Sequence, residues 1–319
     1  MIERIQQQHI VPEDFDGLRF DRIAVQLFPD YSRARLQAWI KSGALLVDGQ
    51  QCKPSVALEP GMQLSLDAEL EQQNEWQPEQ IALQIVHEDP AIIVVNKPAG
   101  LVVHPGAGQA SGTLANALLH HCNELTSVPR AGVVHRLDKD TSGLLVIAKT
   151  LSAHQQLVQQ LQQRTVKREY VAIVHGIPPL EGSVDAALGR HPVQRKKMAV
   201  QKFGGKPAIT RFRVLERFAA VSSVRLKLET GRTHQIRVHM ASIGHALIGD
   251  PLYGARLRGG AAVEAKLRAA LTSFPRQALH AQRLGLQHPL NGELCHWEAD
   301  LPADLADLFS TLRAQESND

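Results

Sequence analysis

The sequence predicts an α+β protein in two parts: a small N-terminal module of two helices and a hairpin, then a larger domain on a mixed, largely antiparallel sheet. Three features carry that expectation. At 319 residues the chain is well over the usual domain length of ~100–150. A polar, acidic stretch with a proline, from about Glu69 to Glu79, interrupts the apolar pattern as a linker does. Beyond it, strands and helices mix without the regular βαβ alternation of a doubly wound sheet. The expected boundaries are 17–68 for the module, 69–80 for the linker and 81–319 for the second domain.

The elements follow in order. Phe20, Ile23, Ala24, Leu27 and Phe28 recur at the spacing of one helix face. A second helix is expected to open at Ser32, a good N-cap, to turn Leu36, Trp39 and Ile40 inward and to end at Gly43. Leu45-Leu46-Val47 then reads as a strand running into the hairpin pair Asp48-Gly49. After the linker, Ile92–Val95 and Leu144–Ala148 read as buried strands, and Val224, Leu226 and Leu228 alternate with charged neighbours as a half-buried one. Helical patterns cover Ser152–Gln163 and Thr233–Ser242, the latter closed by Gly244.

Composition narrows the function classes. Apolar residues make up 44% and charged residues 21%, which excludes wholesale disorder. The longest apolar runs are about five residues against the roughly 20 of a membrane helix, so no membrane role is expected. Residues Met1–Gln8 lack the apolar core of a secretion signal, and Cys52, Cys122 and Cys295 lie in no disulfide or metal spacing. A reduced, cytosolic compartment is the expectation. The net charge of +3 says little, but Asp185 and Glu216 bracket eight bases and no acid. That stretch, with Arg190, Arg195, Lys196 and Lys197 among its cations, reads either as a solvated face or as a phosphate-contacting arm on a hairpin.

Two dense polar segments hold the candidate chemistry. His135-Arg136-Leu137-Asp138-Lys139-Asp140 sits immediately before the strand at Leu144. It suits a structural turn, in which Asp138 or Asp140 accepts backbone hydrogen bonds, or a site on a loop held by a rigid strand. The second segment, Gly231-Arg232-Thr233-His234-Gln235-Ile236-Arg237, opens a helix on which His234 and Arg237 share a face. There is no His-Glu-x-x-His arrangement and no carboxylate at ligand spacing, so no metal is expected.

Arg19-Phe20-Asp21-Arg22, Ser32-Arg33-Ala34-Arg35, Ile40–Gly43, Leu45–Gly49 and Pro60-Gly61 resemble the S-four-type RNA-binding module, named for a ribosomal protein. The two catalytic-looking segments are similar to those of the RluA-type family of RNA pseudouridine synthases. So are Asn96-Lys97-Pro98, Lys167-Arg168-Glu169-Tyr170, Gly249–Gly254 and Gln277–Ala281.

That resemblance implies isomerisation of specific uridines in large-subunit ribosomal RNA, free or in an assembling subunit; no atom is gained or lost, so no cofactor is expected, and a self-contained two-domain chain points to a monomer. The resemblance assigns the nucleophile to Asp138, the cation that orients it to Arg237, and the ring against the target base to Tyr170. Arg136 would fill the space of an extruded base. His135, Arg232, the basic stretch and, in the front module, Arg33, Arg35 and Lys41 would contact RNA. Three alternatives stay open: other rRNA or tRNA uridines, an inactive RNA-binding assembly factor, and a hydrolase using Asp138 with Asp140.

Overall fold

The computed structural model describes residues 3–29, 31, 33–70, 76–106, 108–255 and 265–316. The chain divides into two compact units, Met1–Glu75 and Trp76–Asp319.

In the first unit, β1 (Glu3–Ile10) precedes α1 (Phe20–Leu27), α2 (Arg33–Ser42), β2 (Leu45–Val47) and β3 (Gln63–Leu70). The strands form an antiparallel sheet in the order β1-β3-β2. Phe20, Ile23 and Ala24 of α1 bury against Leu36 and Ile40 of α2 and Leu45, Leu64 and Leu66 of the sheet. Gly43 ends α2 with φ +82°, a left-handed conformation that costs glycine little. The expected cap at Ser32 lies outside the described residues.

Asp48 and Gly49 do make the tight turn, both at positive φ. It does not join two paired strands directly: Val47 closes one bridge to Gln50, and the ladder partner of β2 comes later, as β3. The unit also reaches further towards the N-terminus than residue 17, the expected start, because β1 pairs with β3 along its whole length.

The second unit runs β4 (Ile85–Glu88), β5 (Ile92–Lys97), α3 (Leu114–His121), β6 (Ser142–Ala148), α4 (Leu151–Gln162) and β7 (Lys167–His175). β8 (Glu181–Asp185), β9 (Leu188–Arg190), β10 (Met198–Val200), β11 (Ile209–Arg217) and β12 (Val221–Leu228) follow. The last elements are α5 (Gln235–Ser242), α6 (Ala265–Ser273), β13 (Leu279–Gln287), β14 (Leu294–Glu298) and α7 (Ala303–Glu316). Nine strands form one sheet in the order β4-β5-β6-β13-β7-β12-β11-β8, with β14 on β13.

Among the described residues every ladder is antiparallel except β6 with β13, at the centre of the sheet. β7 shows how both faces are covered: Tyr170, Ala172 and Val174 join the core that holds α3 and α5, whereas Val171 and Ile173 face α6 and α7. Part of the expected linker belongs to this unit, since the Gln77 carbonyl accepts from Asn116 and the Glu79 carboxylate from the Gly112 amide.

The parallel junction sets up everything that follows. Gly143, at φ +115°, lets β6 approach β13 so closely that a Cβ there would stand 2.3 Å from the Ala281 carbonyl oxygen. The loop ending at Thr141 therefore leads straight into the sheet's one parallel junction, where β6 meets β13.

Candidate active site

Asp138 stands in that loop with its side chain 16% exposed. Nη1 of Arg237, reaching in from α5, donates to Asp138 Oδ2 at 3.0 Å. The rest of the guanidinium is committed elsewhere: Nε and Nη2 donate to the two oxygens of buried Asp250, at 2.7 and 2.8 Å. The cation expected to orient Asp138 thus spends its two-pronged grip on Asp250 and gives Asp138 a single bond. Asp250 is itself fixed by the Leu252 and Tyr253 amides, both donating to Oδ1. Burial works against both charges, but each outweighs it for the other. Asp250's pKa stays below the usual carboxylate range, and the two carboxylates raise Arg237's above that of an ordinary arginine.

The loop is clamped from beneath. Lys97, 1% exposed at the end of β5, points its ammonium at the carbonyls of Pro98, Leu101 and Lys139, at 2.7, 2.9 and 2.9 Å. Burial pulls its pKa down to about 7. Arg276, paired through two bonds with Asp304, also donates to the Asp140 carbonyl, and Gln277 donates to the Thr141 hydroxyl. No described residue bonds the Asp140 carboxylate, and none of the backbone bonds expected of a turn reaches Asp138's.

His234 lies on the opposite side of Asp138, its Nε2 3.9 Å from Oδ1. The sequence placed it on the helix; it is instead the left-handed residue just before α5, at φ 56°. Its Nδ1 is 2.9 Å from the Tyr253 hydroxyl, which accepts the Met198 amide of β10. That bond occupies one lone pair of the oxygen, leaving its proton for Nδ1 and the imidazole N–H at Nε2, towards Asp138. Burial lowers the pKa of His234, with Asp138 opposing, which keeps the ring neutral.

A cleft of about 550 Å³ opens beside Asp138 and is lined by Tyr170, Arg136, Arg168 and Arg232. Tyr170 is 5% exposed, and burial pushes its phenol pKa up, so it stays protonated at neutral pH. Arg136 is exposed and lines both the cleft and the smaller pocket between Asp138 and Arg237. Arg232 is exposed and donates to the Pro207 carbonyl. His135 turns inward instead: its Nε2 accepts the Val146 amide, and burial drops its pKa to about 3, so it brings no charge to the cleft.

The basic stretch does build a hairpin, β9 with β10, with Arg195, Lys196 and Lys197 in its connection. Arg190 leaves β9 to donate to the Arg195 carbonyl. In the first unit, Arg33 is tied at 2.9 Å to the 1%-exposed carboxylate of Asp21, whose pKa that bond lowers. Arg35 stacks over Trp39, its guanidinium carbon 5.9 Å from the ring centre, and Lys41 is exposed. Among the described residues no group of three or more His, Cys, Asp or Glu side chains could hold a metal ion, and no helix is long and apolar enough to cross a membrane.

The RNA pseudouridylate synthase family model matches residues 91–242, and the S4 domain model matches 18–64. The ribosomal large subunit pseudouridine synthase D of Pseudomonas aeruginosa is 55% identical over 313 residues, 98% of each chain. The protein of that name from Escherichia coli is 47% identical over 315 residues, 98% of this chain and 96% of the other. Among solved structures, human RNA pseudouridylate synthase domain containing 4 superposes with a TM-score of 0.57 at 25% identity, covering 72% of this chain and 93% of its own. Human RNA pseudouridylate synthase domain containing 1 gives 0.54 at 27% identity, covering 74% and 96%.

Proposed function

The chain belongs to the RluA-type RNA pseudouridine synthases, and on that premise we propose that its substrate is uridine in large-subunit ribosomal RNA, with Asp138 attacking a flipped-out nucleotide. The relatives that match it over nearly its whole length carry a large-subunit name, which supports the substrate. The observation that carries the role of Asp138 is the bridge Asp250–Arg237–Asp138, with two of its three members buried and the third facing a cleft.

The chemistry fits this arrangement. The bond from N1 to the sugar breaks, the bond from C5 to the same sugar carbon forms, C5 gives up a proton and N1 gains one. Composition is unchanged, so a nucleophilic carboxylate and a place to hold the freed uracil are enough. Asp250 takes up most of the Arg237 guanidinium, which leaves Asp138 oriented by one charged hydrogen bond and its second oxygen open to the pocket. Tyr170 supplies a ring for the base; stacking of this kind is worth roughly 1–3 kcal/mol. The exposed guanidinium of Arg136 suits the gap that extrusion leaves in the RNA. The β9–β10 hairpin, Arg232, and Arg35 and Lys41 of the first unit supply phosphate contacts; Arg33 serves Asp21 first. The enzyme acts as a cytosolic monomer.

The test is incubation of the purified protein with large-subunit rRNA transcripts, intact large subunits, small-subunit rRNA and tRNA, with pseudouridine mapped by position. New pseudouridine in large-subunit RNA is expected. Conversion confined to the other RNAs would reject this substrate, and no conversion of any would favour an assembly role.

A further inference from the structure

Among the described residues, three arginines of the second unit are buried to nine-tenths or more: Arg237, Arg276 and Arg168, at 4, 6 and 6% exposure. Two of them are neutralised by forked bonds to a carboxylate, Asp250 and Asp304. Arg168 has no such partner. No described acid pairs with it, its Nε is sealed from solvent without a hydrogen-bond partner, and burial lowers its pKa below that of a free guanidinium. A guanidinium taken out of water without a counter-charge is costly to hold in the folded chain. The sequence around it makes room for it nonetheless: Gly231 has no side chain, and a Cβ there would stand 2.7 Å from Arg168 Nη1.

Position says what the charge is for. Arg168 precedes Tyr170 by two residues on β7, so both face the same side of the sheet and line the same cleft. Arg130, Arg136, Arg164 and Arg232 line that cleft too, all exposed. Arg168 does not line the smaller pocket beside Arg237, where the base would be rearranged. We infer that Arg168 is the anchor of a subsite for one backbone phosphodiester of the RNA strand flanking the target uridine, with its fork set for two non-bridging oxygens. This deepens the substrate reading above and rests on it.

The test uses the full-length chain carrying Asp138→Asn, so that binding is read without turnover, with and without Arg168→Met. The RNA is a large-subunit stem-loop that the wild type converts, intact or with a single neutral methylphosphonate at each linkage near the target in turn. One linkage is expected to cost the parent chain on the order of 10- to 100-fold in affinity, as a lost charged hydrogen bond does, and to cost the Arg168→Met chain nothing further. The slope of log affinity against log salt should fall by about one contact. The Arg168→Met chain should also unfold at the same temperature as its parent or higher, because an uncompensated buried charge has been removed. A purely structural arginine would lower that temperature and leave binding and salt slope unchanged, which overturns the inference. Equal sensitivity of both chains at every linkage overturns it as well. If the wild type converts no large-subunit RNA, it is the substrate reading that fails.

Discussion

At the scale of single residues, the site is a chain of dependence ending at one carboxylate. Asp138 is oriented by Arg237, which is held by Asp250, which is held by the Leu252 and Tyr253 amides of the turn that follows it. Asp250→Ala should therefore act through Arg237: removing one partner of a buried pair costs about 3–5 kcal/mol, and the turnover rate should fall with it. Urea unfolding and single-turnover rates check both. Arg237→Lys should not restore activity, because a point charge cannot replace a fork that spans two carboxylates. That Asp138, Tyr170 and Arg237 stand together around one pocket was foreshadowed in the sequence, because each sits in a dense, family-specific motif. The work of Asp250, Lys97 and Arg168 was not, although each lies in a segment with a recognisable pattern. Their roles depend on contacts made only in the fold: Lys97, for one, reaches Lys139 across 42 residues of chain, and spacing along the chain carries no trace of that contact.

At the scale of elements, periodicity located α1, α2, α4 and α5 but only a minority of the strands, and it misjudged some ends. β1 was missed because only Ile5 among its described side chains is buried; a run so rich in glutamine shows no apolar alternation. α5 begins at Gln235, two residues late, because His234 turns left-handed to face Asp138 and Tyr253, a local cost invisible to pattern counting. The tightest element constraint is the approach of β6 to β13. Gly143→Ala combines a left-handed φ with a Cβ driven into the Ala281 backbone and should lose more than about 3 kcal/mol of stability. Gly100→Ala, also at positive φ but with nothing within 4 Å, should lose only about 1–2 kcal/mol. Thermal unfolding of the two variants side by side measures the difference; equal losses would mean that the close approach is not what Gly143 provides.

At the scale of the whole molecule, a small module followed by an α+β domain on a mixed, largely antiparallel sheet was legible, because a polar, acidic stretch interrupts the apolar pattern and no βαβ rhythm follows it; the single parallel junction was not. Acid sensitivity is a property of the same scale. Burial holds His135, His104 and His280 at pKa values of about 3, 4 and 4, below the ordinary 6.5. In each the folded chain favours the neutral ring, so the unfolded chain takes up more protons as pH falls below 6.5. The stability these rings confer is complete above pH 6.5 and is lost progressively towards pH 4. Melting temperature should drop steadily across that window, and His135→Gln, which keeps an acceptor for the Val146 amide, should make the drop shallower; an unchanged slope would contradict this. The central claim, that one carboxylate carries the isomerisation, is tested most directly by counting pseudouridines formed in large-subunit rRNA by the wild type, Asp138→Asn and Asp140→Asn. Asp138→Asn should form none while Asp140→Asn retains substantial turnover; turnover by Asp138→Asn, or equal loss from both, would contradict it.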